Sequence, residues 1–217
     1  MPSSAAEPRH AQIRVLAGTN GAGKSSVGGA AVRKQGGRYF NPDEAARRIR
    51  ETHPHFSSEQ ANSTAWHTGR RLLAEAIASG GMFGFETTLG GTTIVQMLEQ
   101  AAVGGVDLRI WFVGLASPEL HIARVRSRVR QGGHDIPEDK IRERYDRSRE
   151  HLIRLLPHLT ELQVFDNSAE SDPAGGATPS PLLVLHLAGT AIRAMCDPAL
   201  VPEWAKPIVA AAIRLAR

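Results

Sequence analysis

Cysteine is nearly absent from this chain: Cys196 stands alone among 217 residues. An internal disulfide is thereby excluded, and a reducing, cytoplasmic compartment fits. Long apolar runs are missing as well. No stretch of 18 apolar residues and no secretory leader pattern occurs, so neither membrane spanning nor secretion by the usual route is expected. Aromatic residues make up only 5% of the chain, which argues against a nucleic-acid groove built on base stacking. No internal repeat is present. No Cys or carboxylate spacing around His53 and His55 suggests a zinc site.

What remains is an ordinary globular composition, 41% hydrophobic and 22% charged, of a size that suits one domain with a sizeable core. The net charge is +4 with pI ≈ 9.7. It is unevenly spread: nine arginines fall between Arg124 and Arg154. Such an excess suits a nucleotide or another acidic small molecule, or nucleic acid.

One stretch is specific. Five mostly apolar residues, Ile13 to Ala17, read as a short buried strand. Gly18-Thr19-Asn20-Gly21-Ala22-Gly23-Lys24-Ser25 follows, then Ser26 and further small residues that can open a helix. This is the G-x-x-x-x-G-K-S phosphate-binding loop. Its glycines let successive backbone N–H groups converge on an anion. Lys24 reaches the outer phosphates of ATP or GTP, and the Ser25 hydroxyl holds Mg²⁺. The N-terminus of the following helix adds positive dipole at the same point.

Further strands are expected at Arg38–Phe40, Met82–Phe85, Leu108–Leu115, Leu162–Phe165 and, at a sheet edge, Leu182–Leu187. Helices are expected at Ser26–Lys34, Glu44–Glu51, Ser57 or Ser58 to Ser79, Thr92–Ala102, Pro118–Arg130, from Pro137 onward, and Glu203–Arg217. Strands alternating with helices imply an α/β fold. The expected form is a P-loop kinase-like three-layer sandwich with a central, mostly parallel sheet and an arginine-bearing helical lid at about 120–150. Residues 1–10 read as a loose tail and 11–217 as one domain. Residues 169–181, rich in Gly, Pro and small polar residues, read as a mobile surface loop. Trp66 and Trp111, within a helix and a strand, read as core residues rather than stacking platforms.

The carboxyl ends of parallel strands open onto one crevice. Lys24 with Ser25, Asp43, and Glu86 with Thr87 and Thr88 all follow strands, so they can converge there. Phosphoryl transfer needs a nucleotide clamp, Mg²⁺ and a carboxylate to accept the proton of the attacking hydroxyl. Asp43 is the first choice for that base, with a helix cap or turn as its structural alternative. Glu86 can orient the acceptor or bind Mg²⁺ through water, or pair with an arginine. Arg124 and Arg128 share one helix face, Arg126 and Arg130 another. A lid bearing them would neutralise the transferring phosphate and exclude water. His134 either contacts ligand or organises the lid turn. Asn167 either contacts the nucleobase or closes a turn.

These residues together resemble the zeta-toxin-like P-loop kinases, in particular their short predicted ATPase/kinase branch. The matching pieces are Ala17 to Ser25, Asn41-Pro42-Asp43-Glu44, Phe85-Glu86-Thr87-Thr88-Leu89, Arg128 to Pro137, Arg144-Tyr145 and Asp166-Asn167-Ser168. The resemblance implies transfer of the γ-phosphate of ATP or GTP to a sugar hydroxyl. In typical zeta toxins the acceptor is UDP-N-acetylglucosamine, phosphorylated at its 3′-hydroxyl. It also implies that Lys24 and Ser25 bind phosphate and Mg²⁺, that Asp43 is the base, and that Glu86 and Thr88 line the acceptor site. Arg124, Arg128 and Arg130 become candidates for touching the transferring phosphate. A small helical antitoxin is the implied partner. Two readings stand beside this one: a polynucleotide or RNA-end kinase using the basic lid as a groove, and a nucleotide-dependent switch or ATPase without an acceptor.

Overall fold

The computed structural model describes residues 10–29, 37–133, 135–169 and 180–217. His134, the tail up to residue 9, and residues 30–36 and 170–179 lie outside the described residues. So do most of the expected loop at 169–181 and the end of the helix expected at Ser26–Lys34.

The described residues form a seven-stranded sheet in the order β2-β3-β1-β4-β5-β6-β7. The strands are β1 (Gln12–Ala17), β2 (Arg38–Phe40), β3 (Met82–Thr87), β4 (Asp107–Gly114), β5 (Glu161–Asp166), β6 (Leu182–Ala188) and β7 (Ala191–Met195). The first five pair in parallel, and β6 and β7 are antiparallel additions. β1 lies between β3 and β4, so the chain turns one way after β1 and the other way after β3. Its carboxyl end is the topological switch point where open α/β sheets bind ligands.

Alternation along the central strands sends side chains to two faces. Ile13, Val15 and Ala17 join Phe83, Phe85, Ile110 and Phe112 in the main core. Leu16 points the other way, with Ala22 and Val113 and with Val27 and Trp111 packed alongside. The helices are α1 (Pro42–Thr52), α2 (Ser58–Ser79), α3 (Thr92–Val103), α4 (Pro118–Arg130), α5 (Glu138–Leu155) and α6 (Lys206–Leu215). Local chemistry sets their ends. Ser57 and Gln60 form a capping box on α2, and left-handed Gly80 ends that helix. Ser117 caps α4, with Pro118 in its first turn.

Four expectations need correction. The helix expected from Glu44 begins at Pro42, because Asn41 caps it by accepting the N–H groups of Asp43 and Glu44 at 2.9 and 3.2 Å. The backbone after the phosphate loop, over Ser25–Gly29, winds as a π-helix rather than an α-helix. Leu182–Leu187 is not an edge: β6 is covered by β7, which the sequence reading missed. Gly189, at φ +57°, turns the chain into it, and Arg193 and exposed alanines hide its strand character. Trp66 is not core; 40% of its surface is exposed. Trp111, by contrast, packs partly buried. Among the described residues no helix is long and apolar enough to cross a membrane.

Candidate active site

The loop after β1 takes its shape from three glycines at positive φ: Gly18 (+136°), Gly21 (+83°) and Gly23 (+82°). At Gly18 a Cβ would lie 2.1 Å from the Val113 carbonyl oxygen, so no other residue fits there. The residues between the glycines are tied down by the helices above. Thr19 is buried, and its hydroxyl lies 3.2 Å from that of buried Ser148 and donates to the Arg144 carbonyl at 3.3 Å. The Asn20 side-chain oxygen accepts from Arg144 at 2.8 Å. The Asn20 carbonyl lies 2.8 Å from His121 Nδ1. A carbonyl only accepts, so Nδ1 carries the imidazole proton. Burial pushes the His121 pKa down to about 4, against this hydrogen bond, and keeps the ring neutral. From the far side, Asn167 Nδ2 donates to the Ala22 carbonyl at 2.9 Å. Lys24 Nζ donates to the Gly18 and Thr19 carbonyls at 2.8 and 3.4 Å, folded back over its own loop. Burial lowers the Lys24 pKa, opposed by the negative charges of Glu86 and Asp43.

Two carboxylates face this loop. Glu86, on β3, is 6% exposed. It accepts from the Ser25 hydroxyl at 2.9 and 3.2 Å and from the Tyr39 hydroxyl at 2.5 Å, not from an arginine. Asp43 lies in the first turn of α1, half exposed, with Arg128 Nη1 3.7 Å from its carboxylate. Between them is a cavity of about 340 Å³. Asp43, Glu86, Thr87, Thr88, Trp66 and Arg144 are among the residues that line it. Thr87 and Thr88 accept the N–H groups of Leu89 and Gly90, at 3.1 and 3.2 Å, which turns the chain sharply after β3. Leu89 adopts φ +53° there with its side chain buried. The Leu89 carbonyl lies 2.5 Å from His151 Nδ1, which ties the turn to α5.

The lid arginines do not act as one group. Arg128 reaches Asp43. Arg124 donates to the Ala169 carbonyl at 3.3 Å, beside the Asn167 turn. Arg126 pairs with Glu138, and Arg130 lines a separate groove between α4 and α5. Ser26 is exposed in the π-helical segment after the loop. The reading of the residues did not single out Arg144, His121, Tyr39 or Trp66 for this site. Arg144 carried a signal in the Arg-Tyr pair. Tyr39 and His121 carried none, because each acts through a neighbour distant in sequence.

A glycine loop at a switch point, a lysine and serine at its end, and facing carboxylates around a cavity together define a P-loop kinase. The chain belongs to the zeta-toxin family, whose model, "Zeta toxin", matches residues 3–172. An uncharacterized protein of Haemophilus influenzae is 31% identical over 137 residues, which are 59% of this chain and 88% of that one. The fold is similar to that of a chain in the AvrRxo1-ORF1:-ORF2 structure with ATP, at TM-score 0.63 and 16% identity. That match covers 94% of this chain, which spans only 64% of the other's length. It is also similar to a chain of the PezAT chromosomal toxin–antitoxin system of Streptococcus pneumoniae. There the TM-score is 0.54 and the identity 14%, over 75% of this chain and 69% of that one.

Proposed function

We propose that the protein transfers the γ-phosphate of ATP or GTP to a hydroxyl of a small acceptor, a nucleotide sugar such as UDP-N-acetylglucosamine. The observation that carries this is the Ser25–Glu86 contact at 2.9 Å, which joins the phosphate loop to a cavity large enough for a second substrate. A hydrolase or switch needs no such cavity beside its nucleotide.

In this reading Lys24 leaves the Gly18 and Thr19 carbonyls for the β- and γ-phosphates. Asp43 takes the proton of the acceptor hydroxyl. The hydroxyl oxygen bonds to the γ-phosphorus as the bond to the β-phosphate oxygen breaks, releasing the nucleoside diphosphate. Lys24, Arg128 and Arg144 meet the charge spread over the transferring group. Thr87, Thr88 and Glu86 orient the acceptor.

Among the described residues no group of three or more His, Cys, Asp or Glu could hold a metal. Mg²⁺ does not need one: it is bound through one or two oxygen ligands, water and substrate phosphates. The Ser25 hydroxyl and the Glu86 carboxylate fit that donor set. Those two residues would hold Mg²⁺, which would supply charge neutralisation to the phosphates.

The PezAT structure is described as a toxin–antitoxin system, which supports a small helical antitoxin as a partner. The free Cys196 supports a cytoplasmic setting. The test is incubation with γ-labelled ATP, Mg²⁺ and a panel of nucleotide sugars and oligonucleotides. Label on a nucleotide sugar is the expected result. Label only on oligonucleotide ends, or only as free phosphate, would remove the proposal.

A further inference from the structure

The chain beyond the family match, which ends at residue 172, reaches back to the phosphate loop through one side chain, that of Trp204. The Trp204 ring is buried, with its centroid 6.1 Å from that of Phe112, and it lies so close to Gly114 that no side chain fits there. Packing of this kind needs only an apolar ring. The indole N–H has a separate partner: it donates to Asp166 Oδ1 at 2.8 Å. The same oxygen accepts from the Ser168 hydroxyl at 2.5 Å. The Ser168 oxygen in turn accepts the Ala116 N–H at 2.8 Å, and the Ala116 carbonyl accepts from the Tyr145 hydroxyl of α5 at 3.0 Å. Two bonds to one carboxylate oxygen restrict its rotation. Asp166 and Ser168 are thus pinned on either side of Asn167.

Asn167 donates its backbone N–H to the Gly114 carbonyl at 3.0 Å and its Nδ2 to the Ala22 carbonyl at 2.9 Å. A Cβ on Gly23 would lie 2.5 Å from that Nδ2, so the amide sits directly against the loop. In a trans peptide the carbonyl and the following N–H point to opposite sides. Holding the Ala22 carbonyl against Asn167 therefore turns the Gly23 N–H the other way. His121 of α4 does the same at the Asn20 carbonyl, and so directs the Gly21 N–H. Orientation of such N–H groups is what lets a glycine loop grip an anion. We infer that Asn167 sets the Ala22–Gly23 peptide plane for phosphate binding, and that Trp204 is a positioning residue for it, acting through Asp166 and Ser168. The inference rests on the kinase reading only in taking the donor triphosphate as the ligand of the loop.

Calorimetric titration with inorganic tripolyphosphate tests this, because that probe reads the loop without a base or a sugar. ATP is titrated alongside. Trp204→Phe keeps the ring and removes the N–H. It is expected to weaken tripolyphosphate and ATP alike, by about fivefold, and Asn167→Ala should weaken both at least as much. The double variant should bind no more weakly than Asn167→Ala alone, since both changes break one line of contacts. A merely structural tryptophan would lower the unfolding midpoint without that coupling. Where Trp204→Phe does not fold, Asp166→Asn decides: it leaves the ring untouched, weakens both bonds to Oδ1, and should lower affinity in the same coupled way. Affinity unchanged in the variant measured, or additive losses in the double variant, overturns the inference. A wild type that binds neither probe overturns it too. The kinase reading fails separately. Coupled losses of binding, with no phosphoryl transfer in the wild type, keep the positioning role and remove the kinase mechanism. Transfer with an ATP KM unchanged in Trp204→Phe does the reverse.

Discussion

The Ser25 hydroxyl donates to the Glu86 carboxylate at 2.9 Å, although the two residues are 61 positions apart. Ser25 ends the phosphate loop, and Glu86 lines the cavity proposed for the acceptor. The Tyr39 hydroxyl holds the same carboxylate from the other side. In the proposed reaction, donor and acceptor chemistry meet at this one buried carboxylate.

If Glu86 couples the two halves, removing its charge while keeping its shape should impair transfer more than nucleotide binding. Glu86→Gln is expected to lower kcat by about 10²-fold and to raise the Mg²⁺ concentration needed for half activity. Metal-free ATP affinity, measured by equilibrium dialysis, should stay within about twofold of wild type.

Lys24 and Asp43 should fail in different ways. Lys24→Ala is expected to lose both ATP affinity and transfer. Asp43→Ala should cut transfer by about 10²- to 10⁴-fold and leave ATP binding largely intact. Single-turnover transfer and ATP titration on the same preparations check this, and wild-type turnover in Asp43→Ala would remove Asp43 as the base.

His121 makes stability depend on pH. Its folded pKa, about 4, lies below the ordinary value of 6.5, so the unfolded chain takes up a proton first as pH falls. The contribution is fully present above pH 6.5 and is lost as pH falls towards 4. The full span corresponds to about 3 kcal/mol. Urea unfolding at pH 7 and pH 4.5 should show a smaller pH difference in His121→Gln than in wild type. An identical difference would mean that His121 does not titrate as described.

The segment beyond the family match is part of the core. Trp204 is buried and donates its indole N–H to Asp166 at 2.8 Å. A Cβ at Gly114 would lie 2.4 to 2.7 Å from the Trp204 ring. Gly114→Ala should therefore cost about 1–3 kcal/mol by overpacking, and Trp204→Ala about 3–5 kcal/mol by cavity formation. Chemical denaturation midpoints check both. Trp204→Ala should also weaken nucleotide binding, because Asp166 and Ser168 support the turn that carries Asn167 against the phosphate loop.

The phosphate loop could be read from the sequence because its chemistry is contiguous. Eight neighbouring residues determine where the N–H groups, the lysine and the hydroxyl sit, with little help from the rest of the chain. The alternation of strands and helices was equally local, since apolar periodicity and caps are written into each segment. The order of Asp43 and Glu86 after strand ends followed from that alternation.

Other features depend on which faces meet across the sheet, and no local pattern records that. Trp66 reads as core in its own helix, yet it lies exposed at the cavity wall. His121 and Ser148 look like ordinary helix residues until α4 and α5 pack over the loop and close around Thr19 and Asn20. Arg128 and Arg130 are two residues apart in sequence, yet helical rotation sends one to Asp43 and the other to a separate groove. The sequence by itself determined the shape of the phosphate loop at Gly18–Ser25, because backbone conformation there is a local property of glycine. Only the tertiary structure decided what surrounds the cavity beside that loop, because its surface is assembled from side chains of α1, α2, β3 and α5 that meet nowhere else.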